Sequence, residues 1–379
     1  MRTFRSLLMI FFVLSCTASV RADLTMTLSP SIQNSARGLE IVFSGTLTNT
    51  SATGKLFLND IAATLAGASA SNLTFKPNNF FSNVPGILFP GESYSNSELF
   101  RIFLSGIAPA GDYGGTVTLR GGADIFANGD LASAPFTILS PAVGIAASDP
   151  SASEFGPDPG VFTISRSGSA EIDLPVSFSI SGTAVNGVAY NAIAPSAIIP
   201  AGSNAATVTI SPIPNNIAEG DRTSILSLGV SPAYNLASSV ADTVTIHDKP
   251  ADAWRFEQFG PNANDAAAAD AADWEGDGIR NLLEFALDLD PKVSQTTPAF
   301  ALSIEDDYLT LFFTPNAAAL DVNYIVEAST DLTNWNTTEV EELTIDSLIT
   351  PELRGFRYKF PVSQTSHAFL RLRVERTDL

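Results

Sequence analysis

One cysteine and two histidines in 379 residues leave little material for thiol chemistry or for a histidine-bound metal. The single Cys16 lies near the N-terminus, so the rest of the chain has no disulfide to lean on and must hold itself by apolar cores, by bound metal, or by both. Positive charge is also scarce. Twenty Lys and Arg face 40 Asp and Glu, a formal net charge of −20, which excludes an electrostatic nucleic-acid binder. Beyond the first residues no stretch approaches the ~18 uninterrupted apolar residues of a membrane-spanning helix. No Gly-rich phosphate loop follows a strand, and neither His-Glu-x-x-His nor Gly-x-Ser-x-Gly occurs. His247 and His367 fall in unrelated segments, so nothing places a base beside a nucleophile.

What is present is apolar and acidic. Hydrophobic residues make up 45% of the chain and include 25 Phe, too many for a wholly disordered protein. The length suggests about two to four domains. Arg2 and Arg5 precede an apolar run from Leu7 to Leu14, and Val20-Arg21-Ala22 offers small residues at a cleavage site. This predicts an export signal over 1–22 and an extracellular or cell-surface address. Val13-Leu14-Ser15-Cys16 allows a lipid anchor on Cys16 as the alternative.

From residue 23 to 249 apolar and polar residues alternate over short runs broken by Gly, Pro, Asn and Ser. Ile41, Phe43 and Leu47 are one such set; Leu174, Val176, Phe178 and Ile180 another; Val208 and Ile210, then Leu226, Leu228 and Val230, then Val244 and Ile246 follow. A period of two with frequent turns predicts half-buried antiparallel strands in β-sandwiches, the first over 23–140 and the second over 141–249. The same pattern returns over 292–379, with Leu309, Leu311 and Phe313, Tyr324 and Val326, and Leu370, Leu372 and Val374. Between them, 250–291 reads as a short helical segment, with 266–272 as a good helix former leading in and Trp254, Phe256 and Phe259 packing it onto a neighbouring sandwich. The fold class expected is therefore mainly β: tandem immunoglobulin-like sandwich modules with one helical segment. Acidity gathers at the end, since 250–379 holds nine basic against 23 acidic side chains.

Several stretches of the second module carry a family resemblance: Ala152-Ser153-Glu154, Gly160-Val161-Phe162-Thr163-Ile164-Ser165-Arg166, Ser181-Gly182-Thr183-Ala184, Ile199-Pro200-Ala201-Gly202, Ala218-Glu219-Gly220-Asp221 and Val244-Thr245-Ile246-His247-Asp248. In this order they resemble a Calx-beta domain. That resemblance implies a seven-stranded immunoglobulin-like sandwich, in some members binding Ca²⁺ through carboxylates at one end. The matching acids are Glu154, Glu219 and Asp248. Where members with a working site carry further Asp residues, this chain has Ala189, Asn215 and Asn216. Calcium takes six to eight oxygens and its affinity falls with ligand charge, so this end is expected to bind weakly or not at all and to serve as scaffold.

The sharpest spacing lies at 273–284, Asp-Trp-Glu-Gly-Asp-Gly-Ile-Arg-Asn-Leu-Leu-Glu. A twelve-residue calcium loop needs side-chain oxygens at positions 1, 3 and 5, a backbone carbonyl at 7, often a water-linked ligand at 9, and a bidentate Glu at 12. Asp273, Glu275, Asp277, Ile279 through its carbonyl, Asn281 and Glu284 fill these places, and Gly278 falls at position 6 where the chain turns. The stretch resembles the Asp-rich calcium repeats of the thrombospondin type 3, dockerin-like or EF-hand-like kind. With a single copy, it predicts one structural Ca²⁺ fixing the modules on either side. The function expected is non-catalytic: adhesion, surface or matrix attachment, or recognition of an unknown protein or glycan at the cell surface. The alternative is a secreted carbohydrate-active enzyme or its accessory glycan-binding module, since forty acids offer many carboxylate pairs.

Overall fold

A computed structural model describes residues 23–77, 80–156, 158–296, 300–344 and 353–377. The predicted export signal and Cys16 lie outside the described residues. The chain is mainly β, with strands throughout and only short helices, and it divides into two compact units.

Among the described residues the first unit is built on 23–142, with 167–172 and 231–235. One sheet orders its strands Leu24–Leu28, Glu40–Asn49, Ser93–Leu104 and Leu73–Lys76; the other runs Ile32–Asn34, Gly129–Ser140, Gly111–Gly122, Leu56–Leu65 and Ile87–Leu88. Alternation along Glu40–Asn49 sends Ile41, Phe43 and Leu47 inward, where they meet Leu99, Phe100, Val117, Leu119, Phe136 and Ile138 in one shared core. Phe43 lies 5.0 Å from Phe100 and 5.2 Å from Phe136, ring centre to ring centre, so three strands of two sheets lock through aromatic contact. This is a β-sandwich, with the two inner faces supplying the core.

The second unit holds two more pairs of sheets. In the first pair, Ala205–Ile210, Gly160–Arg166 and Ala142–Asp149 face Ser151–Ser153, Ala241–His247, Arg222–Leu228, Leu174–Ser181 and Ser196–Ile199. Their core holds Ile145, Phe162, Ile164, Val176, Phe178, Tyr190, Leu226, Val244 and Ile246. Val230 lies two residues past the end of its strand and is exposed. The second pair sets Ala301–Glu305, Tyr308–Phe313, Arg354–Tyr358 and Val340–Leu343 against a two-stranded ribbon, Val322–Ser329 with Phe369–Arg376. Leu311, Phe313, Val326, Phe356, Tyr358 and Leu370 fill that core.

The segment between these sandwiches has two α-helices, Pro250–Phe259 and Asn281–Leu287. The helix expected over 266–272 is not formed: only a 3₁₀ turn, Ala266–Ala268, is present. Its carbonyls are taken by another partner. Asn281 donates its side-chain amide to the carbonyls of Ala267 and Ala269, and the backbone N–H groups of Asn281 and Leu282 go to the carbonyls of Ala272 and Asp270. A good helix-forming composition is overridden by these cross-links. The aromatics pack as the sequence implied. Trp254 meets Phe259 and Phe285, and Phe259 shares a cluster with Ala218 of the preceding sandwich. Phe256 is partly exposed, yet its ring lies over Gly220, where an added Cβ would come within 2.6 Å of it. Gly220 also has φ +69°, so both backbone and neighbour require glycine there.

Candidate metal centre

Among the described residues two groups of acids each bring three carboxylate oxygens within 4.8 Å of one another: Asp273, Glu275 and Asp277, and Glu154, Glu219 and Asp248. They are built differently.

In the first, Asp273 folds the loop about itself. Its Oδ1 accepts from the N–H groups of Gly276 at 2.7 Å and Asp277 at 3.2 Å, and its Oδ2 from Gly278 at 2.8 Å. Gly276 and Gly278 have φ of +80° and +96°, a left-handed region that side chains disfavour and that this tight turn needs. Asp277 accepts from Ile279 at 2.8 Å and from Gln295, beyond the helix, at 2.7 Å. Those N–H donors, Gln295 first, hold its carboxyl below the usual range.

Glu275 and Glu284 have no such partners. Glu284 is fully buried in the first turn of Asn281–Leu287, and neither of its carboxylate oxygens meets a hydrogen-bond partner among the described residues; the same holds for both oxygens of Glu275. Burial, then the Glu275 charge, push Glu284 up to about 8, with Asp277 and Asp273 adding to the effect. Burial likewise raises Glu275, and the charges of Asp277 and Asp273 add to it. Asn281, also fully buried, spends its amide N–H₂ on holding the loop's entry, leaving only Oδ1, which has no partner. The carboxylates of Asp273, Glu275 and Asp277 lie together and Glu284 interacts with them. Carboxylate oxygens suit a hard cation such as Ca²⁺.

In the second group the acids are already matched. The guanidinium of Arg222 bonds Glu154 Oε1 at 2.7 Å and Glu219 Oε2 at 2.8 Å. Asn215 donates its backbone N–H and its amide to Glu154, at 3.1 and 3.2 Å. Asp248 accepts the N–H groups of Glu219 and Gly220 at 2.8 and 2.6 Å. Burial still raises the carboxyls of Glu154 and Asp248, but each has donors. Ala189 and Tyr190 are buried in the core beneath, and Asn216 instead accepts from Lys249 at 2.9 Å. Arg222 belongs to no recognisable motif. Its i,i+3 spacing from Glu219 is a local signal, but its reach to Glu154 depends on the fold.

A third ionic cluster was not foreseen. Arg376 of the last strand bonds Asp252 at 2.9 Å, Asp270 at 2.9 Å and Asp321 at 3.0 Å. Arg255 pairs with Asp252 and donates to the carbonyl of Asn216. Apart from the i,i+3 pair Asp252–Arg255, these residues lie too far apart in the chain for any motif to link them.

Compared with known proteins, the chain matches no protein-family model and no curated protein sequence. Among solved structures, the apo form of the Calx CBD1 domain is 20% identical with a TM-score of 0.24, covering 28% of this chain and 96% of that one. The D00-D0 domain of intimin is 18% identical with a TM-score of 0.28, covering 59% and 100%. FdeC, described as an Escherichia coli adhesin, is 14% identical with a TM-score of 0.30, covering 94% of each chain. At TM-scores this low the fold assignment rests on the strand pairing of the chain itself. Among the described residues no helix is long and apolar enough to cross a membrane.

Proposed function

We propose that this chain is an exported, non-catalytic surface protein of the adhesion or ligand-recognition kind, in which loop 273–284 takes one structural Ca²⁺. The observation that carries the metal is Glu284, buried without a donor for either oxygen and facing Glu275, Asp273 and Asp277. Burying an unpaired carboxylate is costly unless a cation or a proton joins it. Asp273, Glu275, Asp277 and Glu284 would hold the ion by carboxylate, Asn281 by Oδ1 and Ile279 by its carbonyl. The cation supplies charge neutralisation and no chemistry.

The ion's role follows from what the loop is tied to. Asn281 stitches the helix after the loop to residues 267 and 269, and Asp270 next to them binds Arg376 and Arg255. Arg376 belongs to the last strand, and Arg255 reaches Asn216 on the preceding sandwich. A cation that orders 273–284 thus steadies the joint between the two sandwiches of the second unit. Recognition surfaces then belong to sandwich loops and edges, as is usual for such folds.

Isothermal calorimetry of residues 23–379 with Ca²⁺, with melting curves in calcium and in chelator, tests this. One site of roughly 10⁻⁴ M or tighter with a raised melting point is expected. No binding, or binding unchanged by Asp277→Ala, would remove the metal from the account.

A further inference from the structure

The ribbon Val322–Ser329 with Phe369–Arg376 is a sheet of two strands, so among the described residues Phe369–Arg376 has a partner on one side only. Along its other side runs a groove of about 450 Å³ lined by four successive strand residues, Arg371, Leu372, Arg373 and Val374, with Leu282 and Leu283 from the loop helix and Arg280 and Gly278 from the loop. Among the described residues, positions 370–375 make no backbone hydrogen bond outside the pairing with Val322–Ser329. An open strand edge with its polar backbone facing a groove is a template for another strand.

The charge of the groove is unusual for this chain. Arg280, Arg371 and Arg373 line it in a protein of net charge −20. Arg371 and Arg373 share the single carboxylate of Glu327, and Arg373 also meets Glu375. Arg371 is further held flat over Trp335, 4.2 Å from its ring centre. Among the described residues Arg280 makes no ion pair, and it is exposed at the start of Asn281–Leu287. Asp270, at the groove's end, is consumed by Arg376 and Arg255. The groove therefore offers an apolar wall of leucines, an uncapped strand edge and more guanidinium than carboxylate.

We propose that this edge is a docking site for an extended acidic peptide, which adds as a strand beside Phe369–Arg376. Main-chain hydrogen bonds would supply affinity, alternate apolar side chains would face Leu282, Leu283 and Leu372, and acidic ones would meet Arg280, Arg371 and Arg373. The proposal deepens the recognition reading above and rests on it, not on the metal.

The test uses the full chain and a fluorescent peptide of about seven alternating Val and Glu residues, followed by anisotropy. Saturable binding with a Kd on the order of 10–100 μM is expected. Arg280→Gln should weaken it about tenfold, the scale of one charge-assisted contact. The same peptide with alternate amides methylated keeps its charge but cannot extend the ladder, and it should not bind. Equal binding of the methylated peptide, or no saturable binding of the plain one, overturns the proposal. A calcium titration of the same protein is run alongside, so failure of the groove and failure of the loop are read separately.

Discussion

Two acid clusters in one chain solve the same electrostatic problem in opposite ways. Around Glu154, Glu219 and Asp248 the chain supplies its own cation, Arg222, with N–H donors from Asn215, Glu219 and Gly220. Around Asp273, Glu275, Asp277 and Glu284 it supplies donors to Asp273 and Asp277 only. A count of nearby acids would rank the clusters as equals. Their difference lies in the carboxylates left without a proton donor, and those are in the loop. The resemblance to Calx-beta leaves the Glu154 end short of ligands, with weak binding or none expected there, and Arg222 lies among its acids; the proposed ion belongs to the loop.

The comparison can be broken most sharply at Arg222. Arg222→Gln removes the internal cation and leaves Glu154, only 2% exposed, short of its charge partner; a loss of about 3 kcal/mol is expected by chemical denaturation. If guanidinium and metal are interchangeable there, calorimetry of that variant should show a second, weaker calcium site, and an unchanged stoichiometry would contradict the equivalence. At the loop, Glu284→Gln should abolish the calcium-induced rise in melting point. That rise amounts to about 2.7 kcal/mol when calcium is at a hundredfold excess over its Kd. In chelator the same variant should melt no lower than the parent, because a buried charge without donors has been removed.

Asn281→Ala asks a narrower question, because it deletes the two amide bonds to Ala267 and Ala269 as well as Oδ1. We expect a loss of about 2 kcal/mol in chelator as well as in calcium, seen by thermal melts in both. A loss confined to calcium would make Asn281 only a ligand.

The smallest effect concerns an acid that needs neither arginine nor metal. Asp331 accepts the N–H groups of Asn334 and Thr333 and the amide of Asn334, and these donors, the Asn334 N–H first, hold its carboxyl far below the usual range. A depressed folded value means that the charged form stabilises the fold above the ordinary 3.8 and that the contribution fades as pH falls below it. Asp331→Asn should flatten the acid end of the stability profile below about pH 4, as followed by tryptophan fluorescence.

Much of this was legible in the sequence, for a physical reason. Strand alternation depends on neighbours two residues apart, so Leu174, Val176 and Phe178 could be assigned inward before any fold was known, and all three are buried. The turn at Gly278 and the acids around it depend on one short loop, and they too are readable from spacing; the left-handed Gly276 is not. The run 266–272 departs from its helical composition because its fate depends on Asn281, whose amide draws off its carbonyls.

The sequence by itself determined the strand periods, the acidic third of the chain and the spacing of the loop's carboxylates. Tertiary structure alone decided which acids are matched. Arg222 meets Glu154 across 68 residues, Arg376 meets Asp270 across 106, and among the described residues no donor reaches the oxygens of Glu284. Periodicity and spacing are short-range properties of the chain. Charge compensation is set by whatever folding brings within about 3 Å, and by how far burial has removed the water that would otherwise do the same work.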